Sequence, residues 1–422
     1  MAGEVQLTLS LSKDTLLWMQ NPQLAYVLLE IMPSQILANV QVPLNFAFVL
    51  DQSGSMDDAG KIDRLRDATK HAIDLLHAED IVSIVAFSTD PRVVVSGQPA
   101  RDKNSLKQQV EQLKAGGGTK MARALREGLR QVRQRQGGTR VNRIVLLTDG
   151  QTDGDDAECV HLAEEAGRDG IKITALGLGA DWNENLLTDV GGRSGGETGY
   201  IAQPQEIARY FKEVVQQMQG GIVQNAHLTM RLVEGPTPRR VWRVAPLISD
   251  LGINPNPSRD IQVPLGELVK DQGQGILVEL AVPSRNDGRY RIGQADLSYD
   301  IPVMGLQDQH VRADVMLSFT RNPALAQAIN PRVMNIVEKV TAFNLQTRAL
   351  QDLQNNNNAG ATQKLRQAAT MLINQGETNL AQTMRLEADR LESQGQMSDE
   401  GRKTIKFQSG KTVRLGPKTN TP

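Results

Sequence analysis

The chain has 422 residues, enough at ~100–200 residues per domain for two to four domains with real cores. Its 47 basic and 48 acidic residues nearly cancel and aromatics are only 4%, which excludes a basic, base-stacking nucleic-acid surface and a global attraction to anionic lipid. Cys159 is the single cysteine, so an intrachain disulfide is excluded; no stretch approaches the ~20 apolar residues that span a bilayer, and "MAGEVQLTLSLSKD" lacks a basic, apolar leader, so a soluble cytoplasmic protein is expected.

Val5, Leu7, Leu9 and Leu11 alternate with polar residues as in a half-buried strand, and "LAYVLLEIM" at 24–32 predicts a second. From Leu44 to about Gln219, short apolar runs alternate with amphipathic segments. Strands are expected near 44–50, 81–87, 143–148, 171–177 and 198–202. Helices are expected near 61–77, 103–114, 120–135, 156–168, 183–190 and 205–219. This alternation predicts a mostly parallel sheet covered on both faces, and the unbroken Ile-Val-Leu-Leu of "NRIVLLTDG" suits a strand buried on both sides.

After Gly220-Gly221 the helical spacing stops. "AHLTMRLVEG", "RRVWRVA", "RDIQVPLGELV", "QGILVELAVP", "RYRIGQADLSYDI" and "HVRADVMLSFT" read as antiparallel strands separated by Pro, Gly and Asn. Their apolar face needs a partner. The economical assembly is a β-sandwich made of 3–42 and 222–320, with the α/β domain inserted between. From Asn322-Pro323 helical spacing returns, with Asn355–Asn358 as a turn and Gly376 and Gly395 at helix stops. "KTIKF" and "KTVRL", around Gln408-Ser409-Gly410, are expected as a solvated basic tail or a small hairpin. The fold class is therefore multidomain, α/β plus all-β. The expected domains are 1–43 (first sandwich strands), 44–220 (a Rossmann-like α/β domain), 221–321 (the rest of the sandwich), 322–397 (helical) and 398–422 (tail).

In an open parallel sheet, ligands bind beyond the carboxyl ends of the strands. Three loops carry oxygen donors there. "DQSGS" supplies Asp51, Ser53 and Ser55; "AGGGTKMARAL" supplies Thr119; "LLTDGQTDGDD" supplies Asp149. No histidine joins them. All-oxygen coordination selects a hard cation, and three neutral hydroxyls with two carboxylates lean to Mg²⁺, with Mn²⁺ or Ca²⁺ compatible. Such a set leaves a coordination position for an acidic group on another molecule. Helix capping is the competing account of Asp51, Ser53 and Ser55, and of Thr119. One cap needs one residue, whereas the first loop spends three. Asp153, Asp155 and Asp156 read as capping surface acids or an extension of the site, and Asp57 and Asp58 as solvated acids that repel acidic partners.

"DQSGS", Thr119 and "TDG" at 148–150 resemble, in order, the D-x-S-x-S…T…D signature of von Willebrand factor type A domains. The resemblance covers about 44–219 and includes "IVSIVAFST", "IKITALGLG" and "GYIAQPQEIARYF". It implies a metal-ion-dependent adhesion site (MIDAS) with Ser53, Ser55 and Thr119 as hydroxyl ligands and Asp51 and Asp149 as its acids, completed by a Glu or Asp from a protein partner. The flanking sandwich resembles that of inter-alpha-trypsin-inhibitor-like proteins and bacterial type A proteins. Some intracellular bacterial members of this kind act as adaptors for MoxR-like AAA+ ATPases or sit beside kinases and phosphatases.

The function expected is thus a non-enzymatic adaptor. Two alternatives stand beside it. Asp51 after an apolar strand resembles the nucleophile of haloacid-dehalogenase-like phosphatases, but Ser53 occupies the place of the general acid and its hydroxyl cannot act as one near neutral pH. The other alternative is a structural scaffold without metal-dependent binding.

Overall fold

A computed structural model describes residues 3–137, 139–252, 260–411 and 413. The chain divides into two units, Gln41–Gly220 and Met1–Val40 with Gly221–Pro422. The N-terminal strands β1 (Val5–Leu11), β2 (Thr15–Leu17) and β3 (Gln23–Pro33) belong to the second of these.

The α/β unit runs β4 (Leu44–Asp51), α1 (Lys61–Asp74), β5 (Ile81–Phe87), β6 (Pro91–Pro99), α2 (Lys103–Val110), α3 (Met121–Arg133) and β7 (Val141–Thr148). It continues with α4 (Asp156–Arg168), β8 (Lys172–Leu178), α5 (Glu184–Arg193), β9 (Glu197–Ile201) and α6 (Ile207–Gly220). The sheet order is β6-β5-β4-β7-β8-β9. Every pairing is parallel except that of β6 with β5. All residues of β4 and β5 are buried, the burial that a central parallel strand imposes. The chain winds outward from β4 through β5 to β6, then returns to the other side of β4 as β7. The gap between β4 and β7 is therefore the topological switch point.

β6 is an addition to the expected elements. "PRVVVSGQP" starts and ends with proline, which reads as loop, yet an antiparallel edge strand tolerates proline at its ends.

The second unit continues with β10 (Gly221–Leu232), β11 (Thr237–Ala245), β12 (Ser249–Asp250), β13 (Asp260–Val269), β14 (Gln274–Val282), β15 (Gly288–Ile301) and β16 (Leu306–Thr320). Two five-stranded sheets result, β1-β3-β14-β11-β12 and β13-β10-β15-β16-β2. The N-terminal segment thus feeds both sheets, with β2 joining parallel to β16.

Among the described residues four α-helices follow: α7 (Pro331–Gln354), α8 (Asn358–Asn374), α9 (Thr378–Gln394) and α10 (Asp399–Gln408). α7 covers one face of the first sheet, where Val333, Ile336 and Val340 share a buried cluster with Leu28, Trp242, Val244 and Leu277. α7 and the other helices pack small residues closely, Ala342, Ala361, Ala368 and Ala388 among Leu365, Leu372, Met384 and Ile405.

The tail departs from expectation. Lys403–Phe407, expected as solvated tail or as one arm of a hairpin, is helical. Ser398 caps that helix by accepting Gly401 N at 3.0 Å, Asp399 and Glu400 occupy its first turn, and Ile405 is fully buried. The Glu387 carboxylate receives both Ser398 N and Ser398 Oγ at 2.7 Å, fixing the helix start. Most of "KTVRL" lies outside the described residues. Among the described residues no helix is long and apolar enough to cross a membrane.

Candidate functional site

β4 and β7 are neighbours, with Leu50 opposite Leu147. Their ends place Asp51 beside Thr148, and Thr148 Oγ1 donates to Asp51 Oδ2 at 2.5 Å. Asp51 Oδ1 accepts Ser53 N at 2.8 Å, which turns the chain sharply after the strand. Ser53 Oγ lies 3.1 Å from Ser55 Oγ, and Ser55 Oγ donates to Asp149 Oδ1 at 2.7 Å. Four of the five expected residues are thus joined by hydrogen bonds across the switch point.

Thr119 arrives on the loop before α3. Among the described residues its hydroxyl makes no hydrogen bond to the other four; its backbone is what is fixed. Thr119 N donates to Asp153 Oδ2 at 2.8 Å, and Thr119 O accepts Asp153 N at 2.8 Å and Thr152 Oγ1 at 3.1 Å. The same loop is tied to the first by Gly54 N on Gly117 O at 3.0 Å and Gly116 N on Gln52 O at 2.7 Å. Glycine is required here: Gly117 has φ +90°, and a Cβ on Gly118 would lie 2.7 Å from Asp153 Oδ2.

The electrostatics are uneven. Asp51 is 0% exposed and Asp149 2%. Burial pushes the Asp51 carboxyl up to about 6; hydrogen bonds from Ser53 and Thr148 oppose the rise, and the Asp149 charge adds to it. Asp51 makes no ion pair among the described residues. Asp149 does: Lys61 Nζ is 2.6 Å from its Oδ2 and 3.3 Å from Ser55 O. Sequence reasoning missed Lys61. It is the first residue of α1, where the helix dipole disfavours a cation, and that misplaced charge was the available signal.

The donor set suits a small, hard dication. Three hydroxyls and two carboxylates stand on loops bonded to one another, and the Asp51 carboxylate has no counter-cation. Among the described residues no group of three or more His, Cys, Asp or Glu that could hold a metal ion converges.

The neighbouring acids have structural partners. Asp155 Oδ2 accepts Ala122 N at 3.0 Å, capping α3, and Asp156 Oδ1 accepts Asn183 Nδ2 at 3.0 Å. Asp153 is the positioning residue for Thr119. Asp57 and Asp58 are exposed beside the first loop, while Met56 and Met121 are buried packing. Cys159 is buried, and burial with the nearby Asp155 pushes its thiol well up, so it is a packing residue and not a nucleophile.

Comparison with known proteins agrees with this architecture. Residues 45–217 match the von Willebrand factor type A domain, and residues 331–415 match the Sll0103-like C-terminal alpha-helical domain. The protein sll0103 of Synechocystis sp. is 28% identical over 377 residues, covering 88% of this chain and 89% of its own. The E3 ubiquitin-protein ligase WAV3 of Arabidopsis thaliana is 24% identical over 319 residues, 74% of this chain but 39% of that protein. A von Willebrand factor type A protein from Catenulispora acidiphila superposes with a TM-score of 0.73 at 21% identity, over 97% of both chains. At that identity the likeness speaks to the fold, and it extends through the sandwich and helices. The chain carries a von Willebrand factor type A domain, followed by an Sll0103-like C-terminal helical domain.

Proposed function

We propose that this chain is a non-enzymatic, metal-dependent protein-binding module of the adaptor type. Asp51, Ser53, Ser55, Thr119 and Asp149 would hold a divalent ion, Mg²⁺ first, and a Glu or Asp of a partner protein would complete its coordination. The observation that carries the reading is the buried Asp51 carboxylate, raised to about 6 and given hydroxyls and an amide but no cation. An uncompensated carboxylate at a switch point costs stability, and a bound dication removes that cost. When bound, the ion would supply a Lewis-acid position for a carboxylate.

The chain's own residues do the rest. Ser53 N and Thr148 Oγ1 hold Asp51 in one orientation. Asp153 holds the Thr119 backbone. Lys61 neutralises one of the two acids, so the site carries about one negative charge without metal and about one positive charge with a dication (counted from the ordinary ionised states). That positive charge favours an acidic ligand, while the exposed Asp57 and Asp58 penalise one that approaches off-centre. The partner is a protein; a MoxR-like AAA+ ATPase or a kinase–phosphatase system fits the adaptor reading, with the C-terminal helices free for a second contact.

A phosphatase reading finds little support. Both oxygens of Asp51 are engaged and the residue is wholly buried, which does not suit an in-line nucleophile, and Ser53 is no general acid. The test is capture of partners on the immobilised full chain in Mg²⁺ against EDTA, read by mass spectrometry, with Thr119→Ala alongside. Retention in Mg²⁺ that is lost in EDTA and in the variant is expected. Equal capture in all three would end the reading.

A further inference from the structure

In the second unit, α7 and the sheet face it covers line a cavity of about 660 Å³ with an unusual charge balance. We propose that it binds a small organic anion with a doubly charged, phosphate-like head and an apolar body. The volume falls within the ~300–1,000 Å³ of small-molecule sites.

The strands set its floor. Arg240 stands opposite Glu279, and Glu279 opposite Tyr26; in the next row Trp242 stands opposite Leu277, and Leu277 opposite Leu28. From α7, Val340 and Arg348 complete the lining. Three arginines, Arg239, Arg240 and Arg348, therefore line one concavity. None has an ion-pair partner among the described residues. The one carboxylate in the lining, Glu279, is already engaged by the Tyr26 hydroxyl.

Unpaired like charges around a concave, partly apolar site repel one another and focus positive potential into it. An oxyanion converts that repulsion into charge-assisted, bidentate hydrogen bonds, the geometry for which arginine is suited. The buried ring of Trp242 lines the cavity beside these arginines. Leu277 and Val340 supply the apolar wall.

The test is calorimetric titration of the full chain with phenyl phosphate, and with benzoate as the singly charged control. One saturable phenyl phosphate site per chain is expected, about tenfold or more weaker in Arg240→Gln/Arg348→Gln and largely restored in Arg240→Lys/Arg348→Lys. Thr119→Ala should leave it unchanged, which separates this cavity from the metal site. Absence of saturable binding at millimolar phenyl phosphate would overturn the proposal, as would undiminished binding by the double glutamine variant. Benzoate binding as tightly as phenyl phosphate would overturn the doubly charged head.

Discussion

Asp51 of the type A unit and Asp296 on β15 of the sandwich are both nearly withdrawn from solvent, 0% and 6% exposed, yet their carboxyls shift in opposite directions. Burial raises both. At Asp296 it is overcome by His310, whose Nδ1 is 2.8 Å away, and by Arg312, whose Nε is 3.0 Å away, and the carboxyl ends below its ordinary range. At Asp51 only neutral donors answer, and a second acid worsens the balance. The sandwich gives its buried acids cations, as Glu30 has Arg332. The type A domain withholds one from Asp51. A buried acid answered only by neutral donors and set beside a second acid marks a place for a cation that arrives later.

The largest effect should come from giving Asp51 what it lacks. Asp51→Asn removes the desolvated charge. The wild-type carboxyl is raised from 3.8 to about 6, so the folded state holds the proton more tightly than the unfolded one. Stability is therefore lost as pH rises through that window, by about 3 kcal/mol at pH 7. In EDTA, Asp51→Asn should be more stable than wild type at pH 7 by about 1–3 kcal/mol and should lose the wild-type decline between about pH 4 and 6, as read by chemical denaturation. In Mg²⁺ the order should reverse in response: wild type gains stability and the variant does not. A variant less stable than wild type in EDTA would break the comparison.

Lys61→Met comes next. It removes the cation from Asp149 and should tighten Mg²⁺ binding about tenfold while loosening capture of an acidic partner. Unchanged metal affinity would show Lys61 to be a bystander. Ser398→Ala, in the other unit, should cost about 1 kcal/mol by uncapping α10, measured by urea denaturation, without moving metal affinity. The smallest effect belongs to the Asp296 pair. The His310 imidazole is raised above its ordinary 6.5 chiefly by its hydrogen bond to Asp296. Its contribution is present below about pH 6.5 and fades as pH rises through the raised value. Asp296, lowered from 3.8, loses its share as pH falls. Because His310 is largely solvated, His310→Gln should remove only a few tenths of a kcal/mol, seen between about pH 4 and 6.5.

The two units differ in how legible they are from sequence. The type A domain was legible because parallel central strands must be apolar on both faces, which leaves runs such as "NRIVLLTDG", and because the site sits where those runs end. Asp51, Ser53, Ser55 and Asp149 could be placed near one another on that ground alone. β6 was not legible, since its apolar run, Val93–Val95, is only three residues long and the strand is bounded by prolines. Nor was Lys61, which no spacing rule connects to Asp149, or Asp153, whose work is done through the Thr119 backbone. In the second unit, the alternation of "KTIKF" suggested a strand, whereas the cap at Ser398 and the i,i+4 burial of Gly401 and Ile405 make it helix. β2 is three residues long, too short for any period to appear. The arginine-lined cavity belongs to tertiary structure: Arg240 and Arg348 meet only because α7 returns across the sheet.

Metal binding at the switch point is tested most directly by calorimetric titration of Mg²⁺ into the EDTA-treated, dialysed full chain. One site per chain is predicted for wild type, abolished by Asp149→Ala and strongly weakened by Thr119→Ala, with both variants retaining the wild-type far-ultraviolet spectrum. No saturable Mg²⁺ or Mn²⁺ binding by the wild type, or binding that survives Asp149→Ala unchanged, would contradict it.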